Sequence, residues 1–89
     1  MSVHTQQEVI AILKDIVANR LDLDIPESQI NEEAGFSSQV GVDSIGFIEL
    51  RYQCEETFKI QVSEDEFGPD NFFSCNTLSE FIVNKLEAR

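Results

Sequence analysis

A single hydroxyl stands out in this chain: Ser44, preceded by Asp43 and followed by Ile45-Gly46-Phe47, at the start of an apolar-periodic segment. At a helix start the first backbone N–H groups lack intrahelical partners and the helix dipole is positive, so a phosphate ester on such a serine is electrostatically favoured. Catalysis by the same hydroxyl would need a general base. The only histidine is His4, far away in the chain, and no Gly-x-Ser-x-Gly turn exists to present a nucleophile. Ser44 therefore reads as an attachment point for a group placed there by another enzyme. An isolated Asp-Ser-Ile tripeptide more often marks nothing beyond a helix cap, so the surrounding sequence has to decide.

Other constellations are weaker. Asp22-x-Asp24 with Glu33 at the twelfth position has the outline of a calcium loop, but Pro26 occupies the fifth position and Glu27 stands where the sharp turn needs glycine. Cys54 and Cys75 do not form a Cys-x-x-Cys pair, and with His4 distant from both a zinc site is poorly supported. Cys54 falls on an apolar stripe and reads as a small core residue, and a disulfide to Cys75 would be unusual in a reducing compartment. Carboxylates are abundant but fall on polar helix faces, where solvation is their usual fate. No metal site and no intrinsic enzymatic activity are expected.

The chain has 89 residues, enough for one small domain, expected over 1–89, that buries on the order of 60% of its unfolded surface. Hydrophobic residues make up 42%, including seven Phe, while 17 acidic residues against six basic ones give a net charge of −11. Such a field repels phosphates and anionic membranes and speeds docking onto basic protein surfaces, so nucleic acid and membrane are not expected partners. The N-terminal residues show no basic region followed by an apolar run, and no apolar span is long enough to cross a bilayer. A cytoplasmic monomer is the expectation.

The elements that must position Ser44 follow from capping signals and periodicity. Thr5-Gln6-Gln7-Glu8 has the capping-box form, and Val9, Leu13 and Ile16 with Ile10 and Val17 recur at helical spacing, predicting a helix from about Thr5 to Arg20. Pro26 disfavours helix at Ile25. From there to Val42 the composition predicts a long ordered loop anchored by Ile30, Phe36 and Val40. Asp43 or Ser44 can cap a second helix ending near Phe58, with Phe47, Leu50, Cys54 and Phe58 on its inner stripe and Ile45, Ile48 and Tyr52 expected to widen it. Glu49, Arg51, Glu55 and Glu56 are left for the polar side. Gly46 costs roughly 1 kcal/mol of helix propensity; its small size beside Ser44 leaves room for an approaching group, and a locally weak first turn explains it equally well.

Ser63-Glu64-Asp65-Glu66 is another helix start, but Gly68-Pro69 limits it to a turn or two, and only Ile60-Gln61-Val62 hints at a strand. Thr77-Leu78-Ser79-Glu80 is expected to open the last helix, running to Leu86. The fold class is all-α, a small bundle of three longer helices plus one short helix, with a long loop between helices 1 and 2.

Gly41-Val42-Asp43-Ser44-Ile45, then Glu49-Leu50, Glu55-Glu56-Thr57-Phe58, Ile60 and Val62, with Phe36 upstream and the last helix downstream, resembles the acyl carrier protein family from about Val9 to Leu86. The resemblance implies that Ser44 receives a 4′-phosphopantetheine arm from coenzyme A through a magnesium-dependent phosphopantetheinyl transferase. It further implies that the arm's thiol holds acyl intermediates as thioesters for synthase, acyltransferase or ligase partners with basic docking patches. Asp43 matches the residue flanking the attachment site and implies transferase recognition. Ile45, Ile48 and Glu49, joined by Glu55 and Glu56, match partner-facing positions. From Asp43 to Glu66 seven acidic residues stand against two basic ones, a local balance of −5.

Three departures tilt the reading from fatty acid synthesis toward polyketide or related specialised biosynthesis: Val40 in place of the usual leucine, Arg51 in the acidic helix, and the Phe67–Asn76 segment with Gly68-Pro69 and paired Phe72-Phe73. The nearest rival is a peptidyl or aryl carrier of nonribosomal peptide synthesis, although Val42-Asp43 stands where that class more often shows a second glycine and a histidine or aspartate. A rival of another class is an unmodified acidic helical adaptor. Any internal seat for cargo depends on how Phe47, Tyr52, Phe72 and Phe73 pack.

Overall fold

Thr5 and Glu8 close the first helix reciprocally: Thr5 Oγ1 accepts from Glu8 N at 3.2 Å, and Glu8 Oε1 accepts from Thr5 N at 2.9 Å. In the computed structural model, which describes residues 5–21 and 25–88, this box starts α1, Gln6–Arg20. The second and third α-helices are α2, Ser44–Phe58, and α3, Cys75–Glu87. No strand forms among the described residues. The all-α expectation therefore holds; the Asp22-x-Asp24 pair and His4 lie outside the described residues.

The long connection between α1 and α2 is ordered by local bonds. Its described part contains a 3-10 turn, Glu27–Gln29, and a π-helical turn, Phe36–Val40, and the three expected anchors Ile30, Phe36 and Val40 are all buried. Gly41, at φ 94°, occupies the left-handed region that only glycine enters cheaply, and its N–H and that of Val42 both close back onto the Phe36 carbonyl at 2.8 Å. This reversal points the chain into α2. At the far end of α2, Lys59 takes a left-handed conformation and its N–H returns to the Glu55 carbonyl.

Beyond α2, Ile60 and Val62 are buried while Gln61 is exposed, so the strand-like alternation is satisfied by a single extended segment laid on the core. The Ser63 start is real, since Ser63 Oγ accepts from Glu66 N at 3.2 Å and Glu66 Oε1 accepts from Ser63 N at 3.0 Å, but it closes one turn only before Gly68-Pro69. Residues 63–73 form a strap held by side chains in place of a helical ladder. The start of α3 differs from expectation. Its cap is Ser74, whose Oγ accepts from Thr77 N at 3.2 Å while Thr77 Oγ1 accepts from Ser74 N at 3.0 Å, so Thr77 is the third helical residue and not the entry.

One cluster of apolar side chains joins these parts: Val9, Leu13 and Val17 of α1, Leu50 and Cys54 of α2, Leu78 and Ile82 of α3, and Phe36 from the connection are all fully buried. Packing of α1 is more extensive on α3 than on α2. A polar tie reinforces the first pair, with Gln6 Nε2 donating to Asn76 Oδ1 at 3.0 Å and to Ser79 Oγ at 3.1 Å.

Candidate functional site

Asp43, and not Ser44, caps α2. Its Oδ1 accepts from Gly46 N at 2.8 Å and its backbone carbonyl accepts from Phe47 N at 2.9 Å. Ser44 is consequently the first residue of the helix, exposed, with a hydroxyl that no described protein group occupies. A phosphate ester fits this position: nothing covers the oxygen, the helix is 15 residues long, and the cap consumes the Gly46 amide while leaving those of Ser44 and Ile45 at the positive end of the dipole.

Gly46 plays a different part from the one expected. A Cβ there would come within 2.9 Å of Val42 Cγ1 and 3.3 Å of Asp43 Oδ1, and Val42 is buried. The missing side chain lets the cap and Val42 close tightly under the first turn; it does not leave an opening for an approaching group.

Three residues assigned to the inner stripe of α2 face outward. Ile45 is 77%, Ile48 61% and Tyr52 54% exposed, while Leu50, Cys54 and Phe58 carry the burial and Phe47 is half-buried. The apolar arc is wider than the core can cover, and the surplus lies on the solvent side. Ile45, Ile48 and Tyr52 fall at i, i+3 and i+7, so a continuous apolar ridge begins beside Ser44. Glu49 borders it and accepts from Gln53 Nε2 at 2.7 Å, and Glu56 is exposed.

The acidic tally from Asp43 to Glu66 is largely committed within the molecule. Glu55 Oε2 accepts from Val62 N at 2.8 Å and lies 3.9 Å from Arg51 Nε. Glu64 pairs with Arg51 at 3.2 Å. Glu66 takes both of its oxygens to 2.6 Å from Lys85 Nζ, and that hydrogen bond, with the backbone bond from Ser63, holds its carboxyl below the ordinary carboxylate value. Arg51 likewise does not present its charge outward. Its guanidinium donates to the Val62 carbonyl and lies 5.0 Å from the centre of the Phe67 ring, so it anchors the strap to α2.

Beneath the strap lies an apolar cleft of about 420 Å³, lined by Phe47, Phe67, Phe72 and Phe73 with Ser37 and Ser38 at its polar edge. Of the aromatic set expected to shape such a space, Tyr52 is absent because it points to solvent, and Phe67 takes its place. The sequence signal for Phe67 was the Ser63 capping box, which sets it one turn after a fixed start. Cys54 and Cys75 are free and fully buried; burial pushes the Cys54 thiol up to about 12, helped by the nearby Cys75, and the Cys75 thiol up to about 11. Neither is a nucleophile at neutral pH. No group of three or more His, Cys, Asp or Glu side chains suited to a metal occurs among the described residues.

A capped helix whose first residue is a free serine, set in an all-α bundle with a long ordered first connection, is the architecture of a carrier. Residues 11–82 match the phosphopantetheine attachment site family, and the chain belongs to it as a member of the acyl carrier proteins. A curated acyl carrier protein of Guillardia theta is 28% identical over 83 residues, covering 93% of this chain and 98% of that one. Among solved structures, an acyl carrier protein from Enterococcus faecalis aligns with a TM-score of 0.72 at 21% identity, covering 92% of this chain and 99% of that one. A holo acyl carrier protein from Nitrosomonas europaea aligns with a TM-score of 0.74 at 20% identity, covering 88% and 95%. Members of this family are carriers and not enzymes; they bear a covalent 4′-phosphopantetheine and interact with a phosphopantetheinyl transferase and with biosynthetic enzymes.

Proposed function

We propose that Ser44 is the residue that bears the arm and that this carrier serves a polyketide-type or related specialised pathway in the cytoplasm. The observation that carries the assignment is the division of labour at the start of α2: Asp43 does the capping and leaves the Ser44 hydroxyl exposed and unbonded. In the loading step Ser44 Oγ forms a phosphodiester bond and loses its proton, while the pyrophosphate link of coenzyme A breaks and adenosine 3′,5′-bisphosphate leaves. When bound, the arm supplies a terminal thiol that holds an acyl group as a thioester. Asp43 holds the first turn in register for the transferase. The ridge of Ile45 and Ile48, with Tyr52 beyond, offers apolar contact to partner enzymes, and Glu49 and Glu56 offer charge to their lysines and arginines. Glu55, bonded to Val62, supports the strap at least as much as it faces a partner.

The pathway class rests on the strap, whose Gly68-Pro69 break and aromatic residues replace a compact third helix. A second reading, an aryl carrier, is favoured by the aromatic lining of the cleft. Incubation with coenzyme A, magnesium and a broad-specificity phosphopantetheinyl transferase should add the mass of one arm to the wild type and none to Ser44→Ala. Absence of the gain on folded wild-type protein, with a control carrier modified in the same tube, would overturn the assignment.

A further inference from the structure

The cleft under the strap is a set of rings fixed from behind. Phe67 is held between the Arg51 guanidinium, 5.0 Å from its centre, and the edge of Phe72, whose centroid lies 5.0 Å away at an interplanar angle of 87°. Phe47 meets Phe36 edge-on, with centroids 6.2 Å apart at 71°. Phe73 is 51% exposed yet not loose: its carbonyl accepts from Phe36 N at 2.7 Å, and its ring packs over Gly35, where a Cβ would come within 3.3 Å of two ring carbons. It makes no ring–ring contact among the described residues, so an aromatic surface at the rim is open. Of the lining rings, Phe72 is buried, with only 2% of its surface exposed.

We infer that this cleft seats an aromatic acyl group carried on the protein's own arm, and disfavours a straight alkyl chain of equal carbon number. This rests on the carrier reading and specifies its cargo. Continuity with the attachment site supplies the occupant: Phe47 follows Ser44 by three residues, about 5 Å along the helix axis and on nearly the same face, so a group tethered at Ser44 reaches the cleft without leaving the protein surface. The chemistry of the lining supplies the preference. Rings gain edge-to-face and offset-stacked contacts beyond their buried area, which an alkyl chain cannot make. Ser37 and Ser38 line one edge with hydroxyls able to meet a polar substituent on the ring.

The test loads full-length protein with benzoyl or heptanoyl pantetheine arms, using the corresponding coenzyme A thioesters and a broad-specificity transferase. Amide shifts, nuclear Overhauser contacts between cargo and phenylalanine rings, and the rate of thioester cleavage by hydroxylamine are then measured, each rate being normalised to that of the free coenzyme A thioester. The benzoyl form should show contacts to Phe47, Phe67 and Phe73 and be cleaved about two- to tenfold more slowly than the heptanoyl form, the range given by one or two ring contacts. Phe73→Leu, which keeps apolar bulk, should erase that difference, and Phe73→Tyr should retain it. Equal or greater protection of the heptanoyl form, or no effect of Phe73→Leu, would overturn the cargo assignment while leaving the carrier reading intact. Failure of the wild type to gain any arm would instead overturn the carrier reading, and the cargo assignment with it.

Discussion

Replacing Arg51 by methionine keeps most of the apolar stem and removes the guanidinium that ties the strap to α2. The Val62 carbonyl loses a charged donor, worth about 1.5–3 kcal/mol where partly buried, with the low end favoured because water can reach the vacated oxygen. The Phe67 ring loses a cation at 5.0 Å, about 0.5–1 kcal/mol at a half-exposed site. The Glu64 pair adds no more than about 0.5 kcal/mol, since the Glu64 side chain is 90% exposed. These terms overlap, and a net loss of about 2–3 kcal/mol is expected. For a chain of this size that is a large share of a total of roughly 4–13 kcal/mol and lowers Tm by about 10–20 °C.

Urea denaturation read by circular dichroism, at low and high salt, measures this loss. Arg51→Lys should lose about 1–2 kcal/mol, because one ammonium cannot serve the carbonyl and the ring together. High salt should change the Arg51→Met penalty by no more than about 0.5 kcal/mol, since the main contact is local and short-ranged. A loss below about 0.5 kcal/mol for Arg51→Met would refute the anchoring role. So would a Glu64→Gln penalty as large, which would place the energy in the surface pair.

Further outcomes test other parts. The Glu66 carboxyl is held below its ordinary value by Lys85, so its contribution to stability is present above the unfolded carboxylate pKa and is lost as pH falls through the lower folded value; Glu66→Gln should flatten the acid limb of a stability-versus-pH curve. Gly46→Ala should destabilise by about 1 kcal/mol in spite of better helix propensity, because Val42 is buried and the new methyl meets its Cγ1 at 2.9 Å. Cys54 and Cys75, with thiols raised to about 12 and 11, should resist a thiol reagent at pH 8 until urea unfolds the chain, and rapid native labelling would contradict their burial.

Local signals in the sequence were faithful where the partners are close in the chain. The Thr5 and Ser63 boxes close as their spacing demands, and Gly68-Pro69 stops the strap after one turn. Ile30, Phe36 and Val40 are buried as isolated apolar residues in a polar stretch should be. Ser44 stood out through its neighbours and the family resemblance they carry, and its role as the attachment point is the proposal made from them. Periodicity could not separate the inner stripe of α2 from the ridge of Ile45, Ile48 and Tyr52, because both are apolar and the width of the covering surface is set by distant residues. Thr77-x-x-Glu80 imitates a capping box and hid the true one, in which Thr77 supplies the reciprocal acceptor without a carboxylate. The inward turn of Arg51 depends on where the Val62 carbonyl and Phe67 come to rest, 11 and 16 residues later in the chain, and nothing nearby announces it.

The unequal packing of α1 has a dynamic consequence. The first and last helices bury five residues each and lock together through Gln6, Asn76 and Ser79, whereas α2 buries three and leans on α1 far less. The terminal pair is thus the slow-exchanging unit that sets global unfolding, and α2 with its strap is a lower-energy opening unit. Hydrogen exchange should find the α2 amides opening while α1 and α3 stay closed. The helix that begins at Ser44 can then tilt and resettle while the paired first and last helices remain folded.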